Sequence, residues 1–189
     1  MGLTRLRRYP VRLKLEPASI TVSSPRLGEV PPEFSCDNEH INHWFRVHSR
    51  SEHDGYDCRV KYFYREEVRR ELAGFCCISI RREPQSDFVG ASFIADRFFD
   101  QDRITTVHLR WLAVKSGLER RGLGSIMMGS VVEAAYNVIV NAGAHAITVQ
   151  HMGPASNALY RKFGFVEYGD NRENKLYLPA QAVLDTIGE

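Results

Sequence analysis

Apolar and polar positions along this chain follow two kinds of pattern. Short stretches in which apolar residues alternate with polar ones or crowd together, at residues 58–64, 72–82, 104–114, 146–150 and 173–178, predict strands. Spacings of three and four predict helices. Ile41, Trp44, Phe45 and His48 line one face of a first helix that Asp37 or Asn38 can cap. Met128, Val131, Val132, Ala135, Val138, Ile139 and Ala142 form one stripe of a long helix, opened by Ser125 and closed by Gly143, with Ser130, Glu133 and Asn137 off the stripe. Residues 155–163 predict a short helix that Gly164 ends in a left-handed cap, with Phe165 opening the next strand. Residues 180–187 predict a terminal helical tail.

The connections between these elements are less regular. Four prolines fall within residues 16–33, too many for a continuous helix or a central strand, so that segment reads as an extended connection. It continues a basic arm carrying Arg5, Arg7, Arg8, Arg12 and Lys14, in which residues 12–15 offer an edge strand. The charged run 64–70 joins the strands 58–64 and 72–82, and adjacent Cys76 and Cys77 must face opposite sides of the second. Residues 83–103, which mix Pro84 and Gly90 with Phe88, Phe93, Phe98 and Phe99, stand as an insert without an assigned place. No repeat or change of composition divides the chain, so one α/β domain over residues 1–189 is the economical reading.

Composition narrows the class. A chain of 189 residues, 43% apolar, is large enough to bury a full core. Its net charge of +2 does not argue for nucleic acid unaided. Cys36, Cys58, Cys76 and Cys77 form no Cys-x-x-Cys pair and read as reduced core thiols of a cytoplasmic protein, with no metal site. No run of about eighteen apolar residues predicts a membrane span. The amino terminus is too charged for a signal peptide and lacks the hydroxyl residue that myristoylation requires.

The chemistry concentrates after the strand 109–114. Lys115-Ser116-Gly117 turns the chain, and Glu119-Arg120-Arg121-Gly122-Leu123-Gly124-Ser125 leads into the long helix. Strand, glycine turn and helix make an anion site, because glycine lets a phosphate approach the backbone and the first helical turn leaves its amides free. Two nucleotide motifs are excluded. A P-loop needs Lys-Ser/Thr after its last glycine, where Ser125-Ile126 stands, and a dinucleotide fingerprint needs a third glycine in register.

What remains resembles the pyrophosphate loop of the GNAT acetyltransferases, which hold coenzyme A. A second GNAT signature follows in Asn157 and, three residues on, Tyr160, closed by Gly164-Phe165. Phe34-x-Cys36 and Ile41-Asn42-x-Trp44-Phe45 resemble the opening of one branch, the toxins of type II toxin-antitoxin modules, with Asp37 in place of that branch's usual glycine. Together the resemblance covers roughly residues 34–178, leaving 83–103 unmatched. It implies a mixed, mostly antiparallel sheet with a splayed central strand pair, flanked by helices. It also implies acetyl-CoA as donor and aminoacyl-tRNA as acceptor, with a cognate antitoxin and a homodimer; the lack of a long apolar run adds no membrane partner. A small-molecule or protein amine, or a non-catalytic protein that keeps coenzyme A in the same fold, are the alternatives.

By the same resemblance Leu112, Ala113 and Val114 present backbone amides to the pantetheine, and Arg120, Arg121, Gly122, Leu123, Gly124 and Ser125 hold the pyrophosphate. Asn157 contacts the cofactor arm, and Tyr160 touches the cofactor and is the general acid. A phenol with a pKa of about 10 is protonated at neutral pH and can serve a departing thiolate. His108, His145 and His151 lie near this site in sequence, but none is singled out as a base. That absence favours an α-amine, with a pKa of about 8, over a lysine near 10.4. Glu119 stands where the family commonly has Gln or Arg, and is harmless to an anion only if it turns away from the loop.

Overall fold

The predicted strands assemble into one seven-stranded sheet in the computed structural model, which describes residues 20–65, 71–88 and 102–187. Strand β1 is Ile20–Ser23, β2 Arg59–Arg65, β3 Glu71–Pro84, β4 Arg103–Val114, β5 Ala146–Gln150, β6 Val166–Glu167 and β7 Lys175–Pro179. Helix α1 is Glu39–Val47, α2 Ser49–Asp54, α3 Leu123–Ala142, α4 Pro154–Lys162 and α5 Ala180–Ile187, with 3-10 turns at Gln85–Phe88 and Asn171–Glu173. The sheet runs β1-β2-β3-β4-β5-β7-β6, antiparallel throughout except between β4 and β5. A parallel pair needs a crossover instead of a hairpin, and α3 lies in that crossover. This is the mixed, mostly antiparallel α/β sheet flanked by helices that the sequence predicts.

Alternation along β3 gives the sheet a core on each face. Cys76 joins Phe63, Leu109, Met127, Met128 and Val131 beneath α3, whereas Cys77 joins Phe34, Trp44, Phe45 and Phe75 beneath α1. The two vicinal thiols therefore face opposite sides, as the period of two requires. A third cluster, Phe88 with Ile104, Ala146, Tyr168 and Tyr177, covers the far end of the α1 face. Phe88, Tyr168 and Tyr177 pack there ring against ring, with centroids 4.4 to 5.6 Å apart.

Several local expectations need correction. The extended connection contains β1, whose four residues pair with β2 at the edge of the sheet. Asn38 caps α1, its side chain accepting the amides of His40 and Ile41, but His48 is exposed and Asn42 takes the buried position. Asn42 is drawn inward because its carboxamide bridges both backbone groups of Cys36. Helix α2 went unpredicted, its six residues being too polar to show a stripe. In α3 the cap is Gly122, so Ser125 lies inside the first turn, donating its amide to Gly122 O. Met127 is fully buried while Ala142 is exposed, a rotation of the buried stripe toward the helix start.

Gly143 and Gly164 do have the positive φ that favours glycine, 79° and 88°. Part of the unplaced insert belongs to the sheet, since β3 runs on to Pro84 and pairs with Arg103. The edge strand offered by residues 12–15 lies outside the described residues, as do residues 89–101 of the insert. Helix α3, with 20 residues, is long and apolar enough to cross a membrane by composition. Here it is a core helix whose buried face lies on the sheet.

Packing is close around Gly74 on β3. A Cβ there would stand 2.8 Å from both Ala113 O and Met127 Sδ, and the carbonyl cannot swing away. Gly74→Ala is expected to destabilise the fold by roughly 1–3 kcal/mol, the usual cost of overpacking, measured by urea unfolding.

Candidate active site

The site begins with an irregularity in β4. Cys77 pairs with Trp111 and Ile78 with Leu109, which leaves Arg110 as an extra, bulged residue. Pairing of β4 with β5 runs from Thr106 opposite Ala146 to Leu109 opposite Val149 and stops there. Residues 111–114 are thus paired on the β3 side only, and a gap opens between the two central strands. Arg110 is held in place from the α1 face: it forms an ion pair with Glu52, and its guanidinium lies 5.8 Å from the Trp44 ring centroid. The indole N–H of Trp44 also donates to Glu52, at 3.0 Å.

The direction of the amides in the gap follows from alternation. Lys115 N–H donates to Ala73 O on β3 at 2.8 Å, so the amide of Ala113 also faces β3. Those of Leu112 and Val114 face the gap. Of the three residues predicted to offer amides there, these two are oriented to do so. Among the described residues, two buried polar atoms lack a hydrogen-bond partner, Trp111 Nε1 and His151 Nδ1. Trp111 lies two residues beyond the last β4–β5 pair, its ring centroid 5.8 Å from that of Trp44 on the α1 face, and His151 follows β5. A buried polar atom without a partner costs about 1–3 kcal/mol.

Beyond β4 the chain turns through Arg120 at φ 59° and Gly122 at φ 86° into α3. The left-handed glycine starts the helix with no side-chain cap, and among the described residues no acceptor binds the amides of Leu123 and Gly124. These amides, the positive end of the helix and the exposed Arg120 and Arg121 make the loop a place for an anion. Glu119 does not oppose this. It folds back so that Oε2 accepts the Gly117 amide at 2.8 Å.

Helix α4 packs on the start of α3: a Cβ on Gly124 would stand 3.3 Å from Leu159 Cδ2. Tyr160, on the next position of α4, is only 5% exposed and lies against Phe165 with ring centroids 5.8 Å apart. Burial raises its phenol above the ordinary tyrosine value, and no hydrogen bond within the described residues engages its hydroxyl. Asn157, one turn earlier, uses Oδ1 to accept from Arg161 Nε at 2.9 Å and leaves its amide nitrogen free. Two hollows lie outside the loop and α4. One of about 480 Å³, between Val30, Phe34 and α1, contains none of the predicted site residues. The other, about 200 Å³, lies on the α1 face beside His108, Glu83 and Gln150, next to the gap.

The groups of coenzyme A match these features. Its pyrophosphate suits the free amides and arginines at the start of α3, and its amide-bearing arm suits the strand edge of β4. Comparison with known proteins agrees. The sequence pattern of the Acetyltransferase (GNAT) family matches residues 29–165. The chain belongs to the GNAT family. It is by family an N-acetyltransferase that takes its acetyl group from acetyl-CoA.

Among solved structures the GNAT fold of this chain is similar to a mutant of KacT, with a TM-score of 0.80 at 17% identity, over 89% of this chain and 99% of that one. It is similar also to AtaT complexed with acetyl-methionyl-tRNAfMet, with a TM-score of 0.76 at 17% identity, over 87% and 96% of the two chains. AtaTR bound with AcCoA gives a TM-score of 0.72 at 18% identity, over 87% and 96%. No curated protein matches the sequence.

One polar group beside the gap escaped the sequence. Thr106 and His108, two apart on β4, and Thr148 on β5 are buried and face the same side of the sheet. That interruption of a buried alternation was the available signal. Because Glu119 bonds the preceding turn and not the loop, Glu119→Gln is expected to leave coenzyme A affinity unchanged or slightly tighter, read by titration calorimetry; a large loss would mean that the loop is oriented otherwise.

Proposed function

We propose that this protein transfers acetyl from acetyl-CoA to the α-amino group of aminoacyl-tRNA by direct attack. The observation that carries the reading is the likeness of the fold to AtaT in its complex with acetyl-methionyl-tRNAfMet, with a TM-score of 0.76 over 87% of this chain. Exposed Arg81, Arg82 and Arg103, at the β3–β4 end of the sheet, have no ion-pair partner among the described residues and suit a phosphate backbone. Likeness to AtaT bound to the C-terminus of the antitoxin AtaR supports a cognate antitoxin; a single-domain homodimer acting in the cytoplasm is the rest of the proposal.

Acetyl-CoA, when bound, supplies a thioester whose carbonyl is open to an amine. Arg120, Arg121, the amides of Gly122, Leu123 and Gly124, and Ser125 through its hydroxyl hold its pyrophosphate. Leu112 and Val114 give their amides to the arm and to the carbonyl oxygen, where negative charge develops, while Ala113 fixes the strand against β3. Asn157 binds the arm through its free amide nitrogen. Tyr160 is the proton donor. Its burial keeps the phenol protonated at neutral pH and makes full release of the proton costly, so it acts first by hydrogen-bonding the sulfur as charge builds there.

The test is transfer of labelled acetyl from acetyl-CoA to total charged tRNA, with wild type beside Tyr160→Phe. Label on aminoacyl-tRNA that falls roughly 10²-fold or more in the variant, at unchanged acetyl-CoA affinity, is the expected result. Binding without label on tRNA would remove this acceptor and leave a small-molecule or protein amine.

A further inference from the structure

The α1 face of the sheet carries a chain of hydrogen bonds that none of the roles above uses. Glu83 on β3, 8% exposed, accepts Thr106 Oγ1 at 3.1 Å and Thr148 Oγ1 at 2.7 Å on one oxygen, and the hydroxyl of Tyr168 on the other. Among the described residues no cation pairs with it. A carboxylate only accepts, so the single hydroxyl proton of Thr148 is committed to Glu83. Thr148 Oγ1 also lies 3.0 Å from Nδ1 of His108 and, with no proton left to give, it must accept there. Nδ1 therefore carries the imidazole proton, and Nε2 carries the lone pair.

His108 stands where this lone pair is useful. It pairs with Thr148 one residue before the last β4–β5 pair, at the point where the strands part. Nε2 has no partner among the described residues and is not sealed from solvent, and the imidazole lines the 200 Å³ cavity together with Arg81, Glu83 and Gln150. We propose that His108 Nε2 receives the proton of the attacking amine, and that Glu83, acting through Thr148, is the positioning residue that holds His108 in this tautomer. The inference rests on the acetyl-transfer reading but not on tRNA as the acceptor.

The step balances. The amine nitrogen bonds the acetyl carbon and the carbon–sulfur bond breaks. The amine proton goes to Nε2, the Tyr160 proton to the sulfur, and the imidazolium proton returns through solvent to Tyr160. Burial, then the charges of Arg81 and Arg110, hold the imidazole pKa down to about 3, so Nε2 is unprotonated throughout the neutral range. Such a base is weak, but the nitrogen it serves becomes strongly acidic as the carbon–sulfur bond breaks, because an N-protonated amide holds its proton far less tightly than an amine does.

Thr148→Val keeps the shape of the side chain and removes the relay, whereas Thr148→Ser keeps the hydroxyl. With charged tRNA and with methioninamide as acceptors, the Val variant is expected to lose roughly 10²-fold in kcat, with KM for acetyl-CoA and thermal unfolding little changed, and the Ser variant to stay within a few-fold. In ¹⁵N-histidine spectra the wild type should show the Nδ1–H form of His108, and the Val variant should lose it. An Nε2–H wild type, full kcat in the Val variant, or no transfer to either acceptor with acetyl-CoA bound would overturn the proposal. Methioninamide acetylated with this variant pattern, and tRNA left unlabelled, would remove the tRNA acceptor and leave the relay standing.

Discussion

The site depends on one interruption of β-pairing. Arg110 is an extra residue in β4, and the strand cannot both accommodate it and keep step with β5 beyond Leu109. The last stretch of a central strand is thereby left with an unpaired edge, a condition that a buried sheet ordinarily avoids because exposed amides and carbonyls need partners. Glu52 and Trp44 keep the bulge from relaxing by gripping the Arg110 guanidinium from the helices above. The aromatic cluster beneath α1 is thus more than packing, since it fixes the helices that carry this grip.

The gap joins two faces of unlike chemistry. On the α3 side lie a free helix start, two arginines and a buried phenol, suited to an anionic thioester. On the α1 side lie a neutral imidazole, a carboxylate fed only by hydroxyls, and a polar cavity. A direct transfer needs its two reactants to meet through such an opening without sharing a pocket, and the sheet itself is the wall between them.

Much of this was legible in the sequence, for identifiable reasons. Strands β2 to β5 showed because each is an uninterrupted apolar or alternating run, and α4 and α5 because their ends are marked by glycine or by the close of a strand. The GNAT loop was legible through Gly122 and Gly124, residues whose absence of a side chain has a local purpose. Helix α2 and β1 were not, being four to six residues long and stabilised by pairing with distant elements. Glu83 was hidden for a related reason: it sits beyond the apolar part of β3, among residues that look like an insert, and its meaning comes from Thr148, 65 positions away. His108 could be seen near the site, but its protonation depends on that same long-range contact.

The bare α-carbon of Gly124 has a further consequence. Because no side chain separates the start of α3 from Leu159, the helix start that would meet the anionic end of the cofactor stands directly against the helix that carries Tyr160. A larger residue there would wedge the two apart, so the bare position acts as a spacer of no thickness between the cofactor's anchor and its reactive end.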